Sequence, residues 1–353
     1  ITPCLENGKT AYVDILQEGE VAFGSTEFIV LRAKANISDP LFIYYLSISP
    51  FFREKAISLM SGTSGRQRVD VNALKQISFD LPPLEEQKRI AGVLGAFDDK
   101  IELLQKQNTT LENMAKALFK SWFVDFDVVH AKQQGQPKAA VMQQYHLTEE
   151  LYNLFPSSFE PSALGPIPTG WQVNPLENLA CLIMGQSPAG TSYNEKGEGL
   201  PFYQGSTDFS FRFPKKRVYC TAPSRIAEKG DILISVRAPV GDLNIAKEKT
   251  CIGRGLAALH PTNSIYSFLY YSLLNTKKRL SVFNTEGTVF GSINRKDLSS
   301  LLLLNPSKKM LQYFNTLVLP FDIKIESNHK QIQTLTEMRD GLLPRLISGK
   351  IRV

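Results

Sequence analysis

The chain has 353 residues, of which 43% are hydrophobic and 21% charged, with a formal net charge of +6 and a pI near 9.0. This composition is typical of a globular protein of roughly two or three domains, and its moderate basicity is compatible with a polyanionic partner. No apolar run approaches about 18 residues, which excludes an ordinary transmembrane helix.

The first predicted unit comprises residues 1–80. Short runs of β-forming residues at 11–15 and 28–31 predict two strands. Asp39 followed by Pro40 predicts the start of a helix, because a capping side chain and a first-turn proline favour that position. The unit is therefore expected to mix α and β structure.

A long amphipathic helix follows within residues 81–128. Its apolar residues recur at alternating intervals of four and three, which is the spacing of a coiled-coil seam. At about 1.5 Å per residue the helix would be roughly 60 Å long. The seam positions are Ile90, Leu94, Phe97, Ile101, Leu104, Asn108, Leu111, Ala115, Leu118 and Trp122.

Residues 129–164 are predicted to form a linker, because they are rich in Gln, Gly, Lys and Pro. A second globular unit follows at 165–305. Its predicted elements are strands at 217–220, 231–236 and 256–259 and a helix at 268–274. Both units thus combine strands with helices, which predicts an α/β (α+β) fold class.

The long helix occurs a second time within residues 306–353. Adding 224 to each seam number gives a second seam of Phe314, Val318, Phe321, Ile325, Asn328, Ile332, Leu335, Arg339, Leu342 and Leu346. Identities outside the seam share the offset, and they include Asp98 with Asp322 and Met114 with Met338. Two unrelated coiled-coil helices would share only the seam, so the sequence indicates an internal repeat in pseudo-twofold arrangement.

Two asparagines interrupt the apolar seam. Asn108 and Asn328 are not equivalent in the repeat, but an antiparallel pairing of the helices places them opposite each other. A buried polar pair of this kind fixes the register of two helices. The alternative is that both asparagines are solvated at a frayed seam.

The repeat also relates the two globular units. Gly24 aligns with Gly253, and Pro3 aligns with Pro239. Ile1 then corresponds to a position near 237, so we expect the first unit to lack roughly 70 residues that the second unit has at its front.

Residue types suited to catalysis are scattered along the chain. The four histidines and four cysteines have neither metal-site spacing nor a CxxC pair. A phosphate-binding GxxxxGKS/T loop and the Asn-Pro-Pro-aromatic motif of adenine methylation are both absent from the sequence. Asp125 and Asp127, with Lys132 nearby, suit a nuclease, but carboxylates that solvate a helix end are the simpler interpretation. We predict no catalytic residue, no metal site, and reduced thiols in a cytoplasmic protein.

Basic and amide side chains occur in loops at equivalent places of both units. Glycine lets a backbone approach DNA closely, arginine can bind guanine edges, and glutamine can bind adenine edges. The candidate DNA-binding residues of the first unit are Arg66, Gln67 and Arg68. Those of the second unit are Lys215, Lys216, Arg217, Arg237, Arg254, Ser292, Asn294, Arg295 and Lys296. The alternative for any one of these loops is an ordinary solvated surface.

Several motifs resemble those of specificity subunits of type I restriction-modification systems. LPPLEEQ at 81–87 and LLPRLISGKI at 342–351 are similar to the family's central repeat and C-terminal ending. GPIPTGW at 165–171 resembles its domain-opening motif, and 185–259 resembles its target recognition domain. The resemblance covers nearly the whole chain. Its departures are the incomplete first domain and Asn305-Pro-Ser in place of Leu-Pro-Pro.

The resemblance implies two target recognition domains joined by an antiparallel helical pair. Each domain would recognise one half of a split sequence in double-stranded DNA, and the helices would set the spacing. Two methyltransferase subunits would dock on the helices, and restriction/translocase subunits would join them in a bacterial or archaeal cytoplasm, with no membrane. S-adenosylmethionine, ATP and Mg would belong to those partners and not to this chain.

Two other functions are compatible with parts of the sequence. One is an enzyme with a fused methyltransferase or nuclease, which the missing catalytic motifs disfavour. The other is a helical scaffold that bridges protein subunits without DNA recognition. Retained binding of the methyltransferase with loss of DNA binding would favour the scaffold.

Overall fold

The computed structural model describes residues 5–63, 67–262, 266–284 and 291–353. These form two compact units. Unit 1 contains the residues up to Thr110 together with Lys324–Val353, and unit 2 is Leu111–Ile323. Within the described ranges, no helix combines the length and apolar character needed to cross a bilayer.

The α-helices of the described residues are α1 (Pro40–Ile48), α2 (Pro50–Ser58), α3 (Val71–Lys75), α4 (Leu84–Phe123), α5 (Asp127–Gln133), α6 (Lys138–Gln144), α7 (Glu149–Leu154), α8 (Tyr266–Leu280), α9 (Arg295–Ser299) and α10 (Lys308–Ile347). The strands are β1 (Met60–Ser61), β2 (Arg68–Val69), β3 (Phe159–Glu160), β4 (Ile167–Pro168), β5 (Gln172–Pro175), β6 (Ala180–Met184), β7 (Tyr193–Asn194), β8 (Leu200–Tyr203), β9 (Val218–Cys220), β10 (Ile226–Ala227), β11 (Ile232–Ser235), β12 (Leu243–Ile245), β13 (Thr250–Ile252), β14 (Leu256–Pro261) and β15 (Leu302–Asn305). Short 3-10 helices lie at Leu5–Asn7, Leu176–Asn178, Gly190–Ser192, Ser206–Asp208 and Ser281–Asn284.

Unit 1 packs α1 against the outer parts of the two long helices. The carboxylate of Asp39 caps α1 by accepting a hydrogen bond from the Phe42 amide at 2.9 Å, as the sequence predicts. The hydrophobic core joins α1 to α4 and α10, and its buried members are Phe42, Tyr45, Leu46, Ile90, Ala91, Leu94, Leu343 and Leu346.

The strands predicted at 11–15 and 28–31 are wrong. The described residues from 9 to 39 contain turns and irregular backbone but no strand. A run of β-forming residues becomes a strand only when a neighbouring strand supplies hydrogen bonds. The backbone hydrogen bonds described in this segment close local turns, such as the bond from Phe28 N to Ser25 O at 3.0 Å. The only sheet described in unit 1 is the β1–β2 pair.

The long helices run antiparallel within unit 1. Asn328 Nδ2 donates to Asn108 Oδ1 at 2.8 Å, and Arg339 Nη1 donates to Asp98 Oδ1 at 2.5 Å. A residue nearer the end of α10 thus contacts a residue nearer the start of α4, as in an antiparallel pair. The predicted register of the asparagine pair is confirmed, and the solvated alternative is wrong because both residues are buried.

Unit 2 contains two larger sheets, together with the two-stranded pairs β15–β5 and β3–β4. One has the order β12-β11-β14-β6 with every pair antiparallel, and the other has the order β10-β13-β8-β9-β7 with β13 and β8 parallel. The predicted strands at 217–220, 231–236 and 256–259 are confirmed as β9, β11 and β14. Helix α8 extends beyond the predicted 268–274.

Aromatic side chains join the long helices to the sheets in unit 2. The Phe314 ring of α10 lies 5.9 Å from Phe119 and 5.2 Å from Phe123 of α4, measured between ring centroids. Phe268 of α8 lies 5.1 Å from Phe123 in an edge-on contact. This cluster is part of one buried core that includes Ile232 and Ile234 of β11. The predicted α/β (α+β) class is confirmed.

Candidate nucleic-acid interface

Three loops of unit 2 converge at a point where side chains have no room. A Cβ added to Gly255 would lie 2.5 Å from the Gln204 carbonyl oxygen, and one added to Gly185 would lie 2.2 Å from the Gly253 carbonyl oxygen. Gly255 N donates to Gln204 O at 3.0 Å. Glycine is therefore required where these backbones meet.

Polar bonds hold the same three loops together. Gln204 Nε2 donates to Ser187 Oγ at 2.9 Å, and the Arg254 amide donates to the same Oγ at 3.3 Å. These bonds fix the backbone on both sides of the Arg254 side chain, which is exposed. Arg254 makes no ion pair among the residues that the structure describes, so its guanidinium is available to a ligand.

The loop after β11 continues this surface. Val236 N donates to Gly255 O at 2.9 Å, and Ile293 N donates to Val236 O at 3.0 Å. Arg237 forms an antiparallel bridge with Ser292, and both side chains are exposed. We call the exposed residues Gln204, Arg237, Arg254 and Ser292 the polar edge.

Asn294, Arg295 and Lys296 follow the polar edge in the chain. Asn294 caps α9, because its Oδ1 accepts from the Asp297 amide at 2.9 Å while its Nδ2 donates to Asp297 Oδ2 at 2.7 Å. Arg295 and Lys296 are exposed and form no ion pair within the described ranges. The asparagine amide is thus occupied by the helix start, while the two cations face solvent.

The basic run at 215–217 lies next to the segment that follows Gln204. Arg217 Nε donates to Asp208 Oδ1 at 2.9 Å, and the bond to this carboxylate raises the pKa of Arg217. Lys216 pairs with Glu248 at 2.5 Å, and the Lys215 amide donates to Asp208 O at 2.8 Å. Two of the three cations are therefore partly neutralised, while Lys215 is exposed without an ion pair among described residues.

The candidate residues of unit 1 are only partly covered by the structure. Arg66 lies outside the described residues. Gln67 is exposed, and Arg68 on β2 binds Glu27 with its Nε 2.9 Å from both carboxylate oxygens. Hydrogen bonding to Glu27 raises the pKa of Arg68. The structure therefore brings Arg237, Arg254 and Ser292 of unit 2 together, and the described residues of unit 1 form no comparable surface.

The carboxylates near the end of α4 have separate partners. Lys120 pairs with Asp125, and Ser121 Oγ donates to Asp127 Oδ2 at 2.6 Å. Lys132 donates instead to the carbonyl oxygens of Tyr152 and Phe155. In the described part of the chain, no group of three or more His, Cys, Asp or Glu residues is placed to hold a metal ion.

Arg212 is 3% exposed and binds carboxylates from both long helices, and it is not among the residues predicted from the sequence. Its partners Glu112 and Asp322 are distant in the chain. The local sequence feature that could have drawn attention to Arg212 is its position between two aromatic residues, in Phe211-Arg212-Phe213.

A family profile described as "Type I restriction modification DNA specificity domain" matches residues 5–113 and 168–337. The chain is 33% identical over 350 residues to the putative type I restriction enzyme MjaX specificity subunit of Methanocaldococcus jannaschii, covering 95% of this chain and 76% of that protein. It is 28% identical over 396 residues to the type I restriction enzyme HindI specificity subunit of Haemophilus influenzae, covering 98% and 84%.

A solved structure shares the fold. The type I restriction-modification system S subunit from M. genitalium matches with a TM-score of 0.52 at 20% identity, covering 87% of this chain and 72% of that one. At this identity the similarity concerns the fold alone.

Proposed function

Because the chain belongs to the family of type I restriction-modification DNA specificity proteins, we propose that it recognises a split DNA target, with one recognition domain for each half. Members of this family are recognition subunits and not catalytic ones. The chain is accordingly a DNA specificity subunit. The scaffold without DNA recognition is not favoured by this membership.

We assign the two recognition domains to residues 1–80 and 165–305. The helices within 81–128 and 306–353 set the spacing between half-sites, and 129–164 links the repeats. The antiparallel register at Asn108 and Asn328 supports this arrangement, because a fixed register gives the helical spacer a fixed length. A protein that recognises two half-sites a fixed distance apart requires a spacer of fixed length.

The observation that carries DNA recognition is the polar edge of unit 2. Its exposed arginines and glutamine are residue types that bind guanine and adenine edges and DNA phosphates. Close backbone contacts at Gly253 and Gly255 restrain the backbone of Gln204 and Arg254, so little backbone freedom is lost when these residues bind. Lys215, Arg295 and Lys296 add exposed positive charge, which favours a phosphate backbone.

The long helices present apolar side chains that suit protein partners. Met338 is 49% exposed in unit 1, and its repeat equivalent Met114 is 50% exposed in unit 2. Their equivalent places in the repeat are compatible with equivalent partner contacts on the two units. We propose that each helical repeat binds one methyltransferase subunit and that restriction subunits join this complex. S-adenosylmethionine, ATP and Mg would bind to those partner subunits and not to this chain.

Methylation mapping of genomic DNA tests the proposal. The chain is co-expressed with its cognate methyltransferase, either unchanged or as the double variant Arg237→Ala, Arg254→Ala. We expect a bipartite methylated motif for the unchanged chain, and relaxed or lost recognition of one half for the variant. Lys249→Ala is the matched control, because Lys249 is an exposed cation of the same domain that pairs with Glu228 at 3.3 Å, away from the polar edge.

An intact complex that methylates no defined sequence would refute DNA recognition and favour the scaffold. A double variant with an unchanged motif would refute the polar edge as the recognition surface, while leaving the subunit's role intact.

A further inference from the structure

Arg212 is a buried cation shared between a loop of the second recognition domain and the two long helices. Its Nε donates to Glu112 Oε1 at 2.8 Å, and its Nη1 lies 3.1 Å from Asp322 Oδ1. Its Nη2 donates to the Tyr271 hydroxyl, and its guanidinium carbon lies 4.2 Å from the Tyr270 ring centroid. The side chain is 2% exposed. Each nitrogen of the guanidinium thus has a polar partner, and the group also contacts an aromatic ring.

The two carboxylates belong to different helices. Glu112 lies on α4 and Asp322 on α10, so a single planar guanidinium fastens the domain to both. An arginine fork can bind two carboxylates in a fixed geometry, whereas a lysine ammonium has no preferred plane. The contact therefore restrains the orientation of the loop as well as its distance from the helices.

The backbone of this loop is equally restrained. Arg212 has φ +64°, a left-handed conformation that non-glycine residues seldom adopt. Ile245 N donates to Arg212 O at 2.7 Å, and the Asn244 side chain bonds both the amide and the carbonyl of Ser210. A few residues further, the loop reaches the basic run at 215–217. A displacement of Arg212 would therefore move that run with it.

The repeated position in unit 1 is built differently. Asp98, the equivalent of Asp322, accepts from the Tyr45 hydroxyl at 2.6 Å, as Asp322 accepts from Tyr271. Its arginine is Arg339, which lies on α10 and not on a recognition-domain loop. The position equivalent to Arg339 is Ala115, so unit 2 obtains its cation from the domain itself. Unit 2 is therefore fastened to the helices through an arginine of its domain, whereas Arg339 of unit 1 belongs to a helix.

We propose that Arg212 is a positioning residue that holds the second recognition domain at a fixed place on the helices, and so restricts the target to one spacing between half-sites. This inference rests on the proposed function. Successive base pairs are about 3.4 Å apart along each strand, so a domain that shifts by a few ångströms can reach the neighbouring register. Arg212 touches neither base nor phosphate in this role and acts through the domain that it holds.

The test compares genomic methylation between sites that differ in the number of base pairs separating the two half-sites. The full chain is co-expressed with its methyltransferase as the unchanged protein, as Arg212→Lys, and as the neutral triple variant Arg212→Met, Glu112→Gln, Asp322→Asn. The triple variant leaves no unpaired buried charge, and replacing a complete buried cluster is tolerated better than removing one partner. Lys277→Met is the control, because it removes a half-exposed ion pair with Asp242 in the same unit.

With the unchanged chain and with the control, we expect the methyltransferase to modify sites whose half-sites are separated by one number of base pairs, n. Since a misplacement of about 1 Å can change a rate roughly a hundredfold, we expect methylation at n ± 1 relative to n to rise about tenfold in both Arg212 variants. The half-site sequences should not change. A purely structural role would lower methylation at all spacers equally.

An unchanged spacer distribution in both variants, whether methylation is full or reduced, would overturn the positioning role. If the unchanged chain still gave a bipartite motif in that case, the proposed function would remain supported. Absence of any bipartite motif for the unchanged chain would instead refute the proposed function, and this inference with it.

Discussion

Asn328 donates its side-chain amide to Asn108 Oδ1 at 2.8 Å, and the two residues are 0% and 3% exposed. Asn328 Nδ2 also donates to Gln107 Oε1 at 2.8 Å. A polar pair inside an apolar seam contributes less to stability than two leucines, but its hydrogen bond can form in only one register. The pair therefore determines how α4 and α10 align in unit 1.

Replacing one asparagine should cost more than replacing both. In Asn328→Leu the buried Asn108 Oδ1 loses its hydrogen-bond donor, so we expect the free energy of unfolding to fall by about 1–3 kcal/mol. The double variant with Asn108→Leu should recover most of this loss, because two apolar residues fill the seam. Urea denaturation of the two single variants and the double variant measures the coupling. Strictly additive effects would contradict a direct buried contact.

The asparagine register could be predicted because heptad spacing is local information that occurs twice. Arg212 could not be predicted, since its contact with Glu112 joins residues 100 positions apart and no local pattern marks the pair. The polar edge lies between these cases. Arg237, Arg254 and Ser292 are visible as polar residues in loops, but their proximity depends on backbone bonds between β11, the loop at 253–255 and residue 293. The strands expected at 11–15 and 28–31 failed for the related reason that pairing partners are not local.

Gly255→Ala should damage the second recognition domain. The added Cβ would lie 2.5 Å from the Gln204 carbonyl oxygen, which is backbone and cannot rotate away. We expect a loss of about 1–3 kcal/mol in unfolding free energy, together with weaker methylation. Gly190→Ala is the control, because nothing lies within 4 Å of its added Cβ. Thermal and urea unfolding of both variants gives the comparison, and equal midpoints would argue against the close backbone approach.

Asn294 should act through helix α9. Both polar atoms of its amide are bonded to Asp297, so Asn294→Ala should lower stability by about 1 kcal/mol. Asn294→Ser retains a capping oxygen and should keep most of the stability and the methylated motif. Methylation mapping and urea denaturation of both variants test this expectation. If the serine variant is stable but loses recognition of one half-site, the asparagine side chain itself contacts DNA.

Alkaline pH should destabilise unit 1 through Tyr45. Burial and a hydrogen bond to Asp98 raise the pKa of Tyr45 above its ordinary value of 10.0. As pH rises through 10, the unfolded chain releases this proton while the folded chain retains it. The stabilisation is therefore complete below pH 10 and declines above it, by at most about 1.4 kcal/mol per pH unit for one group.

Tyr45→Phe removes that proton and its hydrogen bond. At pH 8 the variant should be less stable by about 1 kcal/mol, because it loses the bond to Asp98. The difference in unfolding free energy between the variant and the unchanged chain should shrink between about pH 10 and 11.5, because only the unchanged chain has a Tyr45 hydroxyl that ionises on unfolding. Urea midpoints across this pH range measure it. A difference that stays constant would show that the Tyr45 hydroxyl titrates alike in both states, because the linked release of one proton would then be absent.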